Sequence, residues 1–292
     1  MEISISHLSK NYGKKPALRD ISLTISAGMF GLLGRNGAGK TSLMRILATL
    51  QTQTSGTVTM NGISLSETKK VREIVGYLPQ DFSIYPSMTV YGAMDYLGIL
   101  SEISPQNRKR RIMALLEKVN LQENRNTQIK ALSGGMRRRL GIAQALLHEP
   151  QILIVDEPTA GLDPEERIRF RNLLCEFAEN RIVILSTHIV EDIETTCQSV
   201  GVLNKGTLLF TDTISKLVKQ AEGKVYSITV QQGEQYRLKD KYIILSMQAG
   251  TSEVRCRILS DVPPSEKHSA EPPTLEDGYM QLIKEHEGGV LK

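Results

Sequence analysis

No apolar run in this sequence comes near the roughly 18 residues that a membrane-spanning helix requires. The strongest, "ILIV" at 152–155 and "IVIL" at 182–185, have the length of short strands. The first residues, "MEISISHLSK", carry no signal-peptide pattern, so the chain is expected to be soluble and cytoplasmic. Cysteine is scarce. Cys175, Cys197 and Cys256 are odd in number, widely spaced and without metal-type pairing, which argues against disulfides and zinc and leaves buried thiols as the expectation. A charge excess of one sign is also missing. The 36 basic residues face 32 acidic ones, and a net charge of +4 gives no ground to expect nucleic acid, although a weak attraction to an anionic membrane surface stays open. No repeat of 20 to 50 residues is present, which removes solenoids and propellers.

What is there is an ordinary globular composition, 40% hydrophobic and 23% charged over 292 residues. That length fits a main domain with a smaller appendage. Two alternating segments, "EISISHLSK" and "RDISLTIS", flank a turn-rich "NYGKKPA" and predict an antiparallel pair. "MFGLLG" then reads as a short strand, followed by a glycine-rich loop and a helix with Leu43, Ile46, Leu47 and Leu50 on one face. Downstream, "QILIVDEP" and "RIVILSTH" are near-continuous apolar strands of the kind found in doubly covered parallel sheets. Between them and the first part, about 87–147 reads as a helical insertion, interrupted by a basic loop "PQNRKRR". Near residue 220 the character shifts. "VYSITVQ", "EQYRLKD", "YIILSMQ" and "VRCRILS" read as short strands, "VPPSEKHSAEPP" as a loop, and a final helix starts at Thr274, with Asp277 completing a capping box and Leu275, Tyr279, Leu282 and Ile283 on one face.

The chemistry-bearing stretch is Gly34 to Thr41, "GRNGAGKT", a phosphate-loop pattern lying between a predicted strand and helix. Glycines let backbone N–H groups curl around a β-phosphate, Lys40 reaches β and γ oxygens, and the Thr41 hydroxyl can bind Mg²⁺. Asp156 and Glu157 end an apolar strand. Beside a phosphate loop, Asp156 can hold the Mg²⁺ shell and Glu157 can deprotonate an attacking water, while a helix-capping role is the plainer alternative. His188 ends the next strand, where it can touch a γ-phosphate or serve structure alone, and Asp163 with Pro164 is a helix N-cap.

"ALSGGMRRRLGIAQALL", 131–147, poses a puzzle. It reads as a helix with Met136, Leu140, Ala143 and Leu147 on one side, entered through Ser133, Gly134 and Gly135, whose N–H groups could hold an anion. Yet Arg137, Arg138 and Arg139 occupy the end that disfavours cations, and no lysine follows at phosphate-loop spacing. They are either a solvated basic face or they face an anion.

Taken in order, these motifs resemble the nucleotide-binding subunits of ATP-binding cassette (ABC) transporters over residues 1 to about 220. The resemblance implies an α/β fold: a P-loop NTPase core, an N-terminal antiparallel β subdomain, a helical insertion subdomain and a small C-terminal α/β accessory domain at 221–292. It implies that Tyr12 stacks on adenine and that Gly34, Asn36, Gly37, Ala38, Gly39, Lys40, Thr41 and Ser42 form the Walker A site. Gln80 in "YLPQ" matches the Q-loop glutamine that contacts Mg²⁺ or water, with Thr41 and Asp156 as the other metal ligands. "ILIVDE" matches Walker B, with Glu157 as general base; "AGLD", ending in Asp163, matches the D-loop, and His188 the switch histidine. "LSGGM" matches the signature motif, whose Ser133 and Gly135 would contact the γ-phosphate held by a second subunit paired head to tail. The implied cofactors are ATP and Mg²⁺. The implied partners are integral membrane permease subunits and a second ABC ATPase subunit, as homodimer or heterodimer, with no nucleic acid. The chain would then lie at the cytoplasmic face of the membrane, peripheral through the permease, which docks on the helical insertion near Gln80 to Ile103.

Two departures matter. The signature usually ends in glutamine and here ends in Met136, and Arg35 replaces a common proline at a position that contributes backbone. The tail "PPTLEDGYMQLI" resembles the ending of cassette ATPases that drive exporters with separate permease chains, while a dimer-stabilising appendage is the plainer reading. The expected function is ATP hydrolysis powering an exporter. An importer ATPase and a soluble cassette protein acting on ribosomes or DNA are the alternatives.

Overall fold

The alternation of the first 26 residues becomes a hairpin in the computed structural model, which describes residues 1–82, 84–159 and 162–287. Strands β1 (Glu2–Tyr12) and β2 (Lys15–Ser26) pair antiparallel from Glu2↔Ser26 to Tyr12↔Lys15. Ile5 and Leu8 are three apart yet both buried, because a register shift separates them and His7 takes φ 52°. An extra residue of this kind re-aims the side chains that follow it.

Strand β3 (Gly28–Leu33) leads through the glycine-rich loop into α1 (Lys40–Leu47). Then come β4 (Ser55–Met60), β5 (Ile63–Ser64), α2 (Thr68–Ile74), β6 (Val75–Leu78), α3 (Val90–Leu100), α4 (Pro105–Lys118) and α5 (Gly134–Leu146). Strand β7 (Ile152–Asp156), α6 (Pro164–Ala178), β8 (Ile182–Thr187), α7 (Val190–Thr196) and β9 (Ser199–Asn204) follow. One sheet runs β2-β1-β4-β5; the other places β9, β3, β8, β7 and β6 side by side, all parallel. The α1 residues Leu43, Met44, Ile46 and Leu47 share one buried cluster with Ile3, Ile21 and Val58 of the antiparallel sheet and Ile154 and Ile184 of the parallel one. Fully burying each such side chain stabilises by about 1.5–3 kcal/mol, so α1 is clamped between two sheets.

Several expectations change. Residues 105–111, expected as a basic loop, form the first turns of α4: Pro105 suits the first helical position, arginine and lysine are good helix formers, and Ile112 and Leu116 bury one face. Leu50 lies beyond α1 and is 58% exposed, since the helix ends at Leu47. Cys175, expected buried, is exposed on α6.

The chain divides into two units, Met1–Leu208 and Leu209–Lys292, whereas the sequence reading changes character near 220. The chain passes from one to the other within β10 (Thr207–Thr213). In the second unit α8 (Ile214–Val218) and a 3₁₀ turn at Lys219–Ala221 pack on the last helix, α10 (Leu275–His286). That contact is close: a Cβ at Gly278 would lie 2.1 Å from Leu217 O. Between them lie β11 (Val225–Gln231), α9 (Gln235–Leu238), β12 (Ile243–Ala249), β13 (Glu253–Leu259) and β14 (His268–Ala270), in an antiparallel sheet ordered β12-β13-β11-β14. "EQYRLKD" is thus a helical turn instead of a strand, because Leu238 inserts into the small core of Tyr226, Ile228, Val254, Cys256 and Ile258. The loop at 262–273 contains β14, an edge strand on Tyr226–Ile228, the placement that a proline-bracketed segment can tolerate. The capping box forms, with Asp277 N donating to Thr274 Oγ1 at 3.3 Å and Thr274 N to Asp277 Oδ2 at 2.8 Å.

Candidate active site

Four loops leave the carboxyl ends of β3, β6, β7 and β8 on the same side of the parallel sheet, the usual place for ligands in open α/β sheets. The loop after β3 is shaped by glycine. Gly39 takes φ 110° and caps α1 with no side chain, and a Cβ there would lie 2.7 Å from Ala17 O. The first N–H groups of α1 therefore stay open to an anion. Lys40, only 4% exposed, folds back so that Nζ donates to Gly34 O at 2.6 Å and Arg35 O at 3.3 Å. Burial pushes its pKa below the usual lysine value, with Glu157 and Asp156 opposing that shift.

Glu157 is where the loops meet. Its carboxylate lies 3.4 Å from Lys40 Nζ and 3.3 Å from His188 Nδ1, and it accepts from Gln80 Nε2 at 3.4 Å. The backbone here is left-handed, φ 46°, a conformation that costs a non-glycine residue about 1–3 kcal/mol and persists only where the surroundings impose it. Asp156, one residue earlier, is fully buried, and neither carboxylate oxygen completes a hydrogen bond. Burial holds its pKa above the usual aspartate value, partly offset by the neighbouring Ser186 and Thr41 hydroxyls. A buried carboxylate with free lone pairs beside a hydroxyl is a donor set that suits a hard cation. Among the described residues no group of three or more His, Cys, Asp or Glu side chains could hold a metal by itself. That arrangement matches Mg²⁺ chemistry, in which one or two carboxylates share the ion with phosphates.

A cleft of about 380 Å³ opens beside this group, lined by Tyr12, Asn36, Gly37, Gly39, Lys40, Thr41, Ser42, Gln80 and Glu157. Tyr12, at the end of β1, is 46% exposed; its hydroxyl donates to Gln51 Oε1 at 2.5 Å, and Lys10 Nζ stands 5.1 Å from the ring centre. Gly34 and Ala38 complete the loop: a Cβ at Gly34 would lie 2.3 Å from Leu203 O, and Ala38 is buried.

Ser133, Gly135 and Asp163 do not line this cleft. Ser133 caps α5, its Oγ accepting from Met136 N at 3.2 Å, which leaves its own proton free to donate. A Cβ at Gly134 would meet nothing within 4 Å, so the helix end is open. Asp163 caps α6, accepting from Glu166 N at 2.9 Å. Ala160 and Gly161 of "AGLD" lie outside the described residues.

Of the arginines after Met136, Arg137 is exposed, while Arg138 and Arg139 are half-buried and are not a solvated face. Arg137 Nη1 donates to Leu132 O at 3.1 Å, and Arg139 Nη1 to Val119 O at 3.0 Å and Asn120 O at 2.9 Å, with Nε 3.1 Å from Glu166. Arg138 reaches Gln80, Glu157 and Pro158 through their main-chain oxygens. Its burial lowers its pKa, while Asp81, Asp156 and Glu157 hold it up. The one signal for these contacts in the sequence is three cations at the wrong helix end. A second missed pair, Thr159 Oγ1 donating to the fully buried Asp192 at 2.5 Å, has no such signal, since Asp192 reads as an ordinary acid in the first turn of α7.

The family model described as "ABC transporter" matches residues 18–160. An uncharacterized ABC transporter ATP-binding protein of Bacillus subtilis, YxlF, is 35% identical over 240 residues, 82% of this chain and 80% of that protein. The linearmycin resistance ATP-binding protein LnrL of the same bacterium is 33% identical over 224 residues, 76% of this chain and 72% of that protein. A solved dimeric structure of a bacterial ABC transporter cassette superposes with a TM-score of 0.67 at 25% identity, covering 72% of this chain and 98% of that one.

Proposed function

The chain belongs to the ABC transporter family as an ATP-binding, ATPase cassette, and from that premise we propose that it powers an exporter by hydrolysing Mg²⁺–ATP between two cassettes. The observation that carries the hydrolytic reading is the convergence of Lys40, Gln80 and His188 on the Glu157 carboxylate, from four different strand ends. Glu157 accepts the proton of the attacking water. His188 and Gln80 orient that water and the γ-phosphate. Lys40 exchanges its Gly34 and Glu157 contacts for β and γ oxygens, and the open N–H groups of α1 receive the phosphates. Asp156, Thr41 and Gln80 hold Mg²⁺, which when bound neutralises charge developing on the phosphate oxygens. Tyr12 stacks on adenine.

The cleft is half of a site. Ser133, Gly135 and the open end of α5 point to a second copy, or a related cassette, whose nucleotide they cover, and the dimeric cassette of the same fold supports that arrangement. Export is supported by the Nod factor export ATP-binding protein I of Cupriavidus pinatubonensis, 38% identical over 213 residues, 70% of this chain and 64% of that protein. No helix among the described residues is long and apolar enough to cross a membrane. In the proposed assembly the pathway belongs to integral membrane permease subunits, the partners that go with an ABC transporter ATPase. Their docking face is the helical insertion, where Tyr85, Ile99 and Leu100 are 58%, 53% and 62% exposed and a groove of about 740 Å³ runs between α2 and α4.

Glu157→Gln tests the reading. Turnover should fall about 10² to 10⁴-fold while Mg²⁺–ATP drives the variant into a stable dimer, measured by phosphate release and light scattering. Unchanged turnover removes Glu157 as the base.

A further inference from the structure

Arg138 makes contacts that packing of α5 does not require. Its Nε donates to Pro158 O at 2.8 Å, its Nη2 to Glu157 O at 2.5 Å, and its Nη1 to Gln80 O. The acceptors belong to the loops after β6 and β7, and Gln80 and Glu157 are also the residues whose side chains meet at 3.4 Å. A lysine could not replace it, because ammonium donors radiate from one atom whereas guanidinium presents its N–H groups in a fixed plane.

What this fork holds is the strained residue. The Glu157 peptide is fixed on one side by its N–H, which donates to Ser186 O at 2.9 Å, and on the other by Arg138. Free of that second hold, a residue at φ 46° relaxes toward ordinary extended backbone, and its carboxylate swings away from Lys40 and His188. We infer that Arg138 is a positioning residue, a clasp through which the amino end of α5 sets the aim of the Glu157 carboxylate and the course of the Gln80 loop. The inference rests on the hydrolytic reading of Glu157 and deepens it. Ser133 caps the same helix five residues earlier, so whatever engages that end bears on hydrolysis in its own chain as well as across the dimer. Arg139, bound to Val119 and Asn120, anchors the neighbouring turn and is separable by mutation.

The test uses the full chain with Mg²⁺–ATP. Arg138→Lys should lower kcat about ten- to a hundredfold, the effect of misplacing a reacting group by about 1 Å, with KM for ATP and the melting temperature nearly unchanged. Arg138→Ala should fall further, and guanidinium chloride at millimolar concentration, but not ammonium chloride, should restore part of the loss. In a Glu157→Gln background Arg138→Lys should add nothing. Should Arg138→Ala not fold, the lysine and double variants carry the test. An unchanged kcat for Arg138→Lys, full additivity with Glu157→Gln, or a fall in kcat matched by lost nucleotide affinity or thermal stability would each overturn the clasp. If Glu157→Gln alone leaves turnover unchanged, the hydrolytic reading fails instead, and the two failures are told apart.

Discussion

The amino ends of α1 and α5 are both entered through glycine, and both leave N–H groups that could receive an anion, yet they are built in opposite ways. At α1 the cap is Gly39, the first helical residue is a buried lysine, and the end opens into a lined cleft. At α5 the cap is Ser133, the end is open, Arg138 and Arg139 direct N–H groups to main-chain carbonyls of other segments, and Arg137 bonds to Leu132 O beside the cap. The first is a cradle complete within one molecule. The second has donors but no buried lysine, which suits a wall closing on phosphate already held elsewhere. The difference also bears on the misplaced charge. A guanidinium at a helix amino end is mildly unfavourable on its own; three main-chain carbonyls at Arg138 and two at Arg139 offset that, against a single one at the exposed Arg137.

The sharpest way to separate the two ends is Lys40→Ala. Removing a positioned donor from developing charge typically lowers turnover about 10² to 10³-fold, and here the cradle should also lose affinity for ATP in the monomer. The check is phosphate release together with nucleotide titration of the monomeric chain. Retained affinity would mean that α1 alone holds the phosphates and that the contrast in lysine is unimportant.

Next in size is Asp156→Asn, which probes what the α1 side stores for its ligand. The raised pKa means that ionising Asp156 disfavours the fold, an effect absent below the ordinary aspartate pKa and present once pH rises through the folded-state value. At neutral pH the nucleotide-free variant should therefore be more stable by about 1–3 kcal/mol, while Mg²⁺-dependent hydrolysis is lost. Thermal melts with and without Mg²⁺–ATP read this directly: the stabilisation by ligand should shrink in the variant. A less stable apo variant would mean that the carboxylate is well satisfied.

Ser133→Ala then addresses the α5 end. Loss of an N-cap costs about 1 kcal/mol of stability, and monomer affinity for ATP should be unchanged while ATP-driven dimerisation weakens. Sedimentation at several ATP concentrations measures both. Weakened monomer binding would place Ser133 in the cleft after all.

Much of the α1 side was legible in the sequence because its chemistry is local: a loop of eight residues, and acids or a histidine at the ends of apolar runs. The parallel, doubly covered character of β7 and β8 was equally open to reading from their uninterrupted apolar runs, whereas the order of the strands was not. What was not legible depends on partners distant along the chain. Residues 105–111 look like a solvated basic loop until Arg108 meets Asp95 at 2.6 Å and Arg111 meets Glu149 at 2.5 Å. "EQYRLKD" alternates like a strand until Leu238 finds its core. Arg138 is the extreme case, since its acceptors lie 58, 19 and 20 residues away and are main-chain atoms, which no side-chain pattern can announce.

The smallest effect is expected where the family pattern is broken. Met136 contributes its N–H to the Ser133 cap, a contact that any residue but proline makes, and its side chain is half-buried on the α5 surface. The features of this end that are proposed to face phosphate, the Ser133 hydroxyl and the Gly134–Gly135 backbone, do not depend on a polar group at 136. Met136→Gln should therefore change the ATPase rate by less than about tenfold, about 1.4 kcal/mol, and leave dimerisation as it is. A larger change in either direction, read by steady-state phosphate release, would mean that the side chain at 136 itself reaches the nucleotide across the dimer. The α5 end would then be a second cradle, and its contrast with α1 would be one of degree.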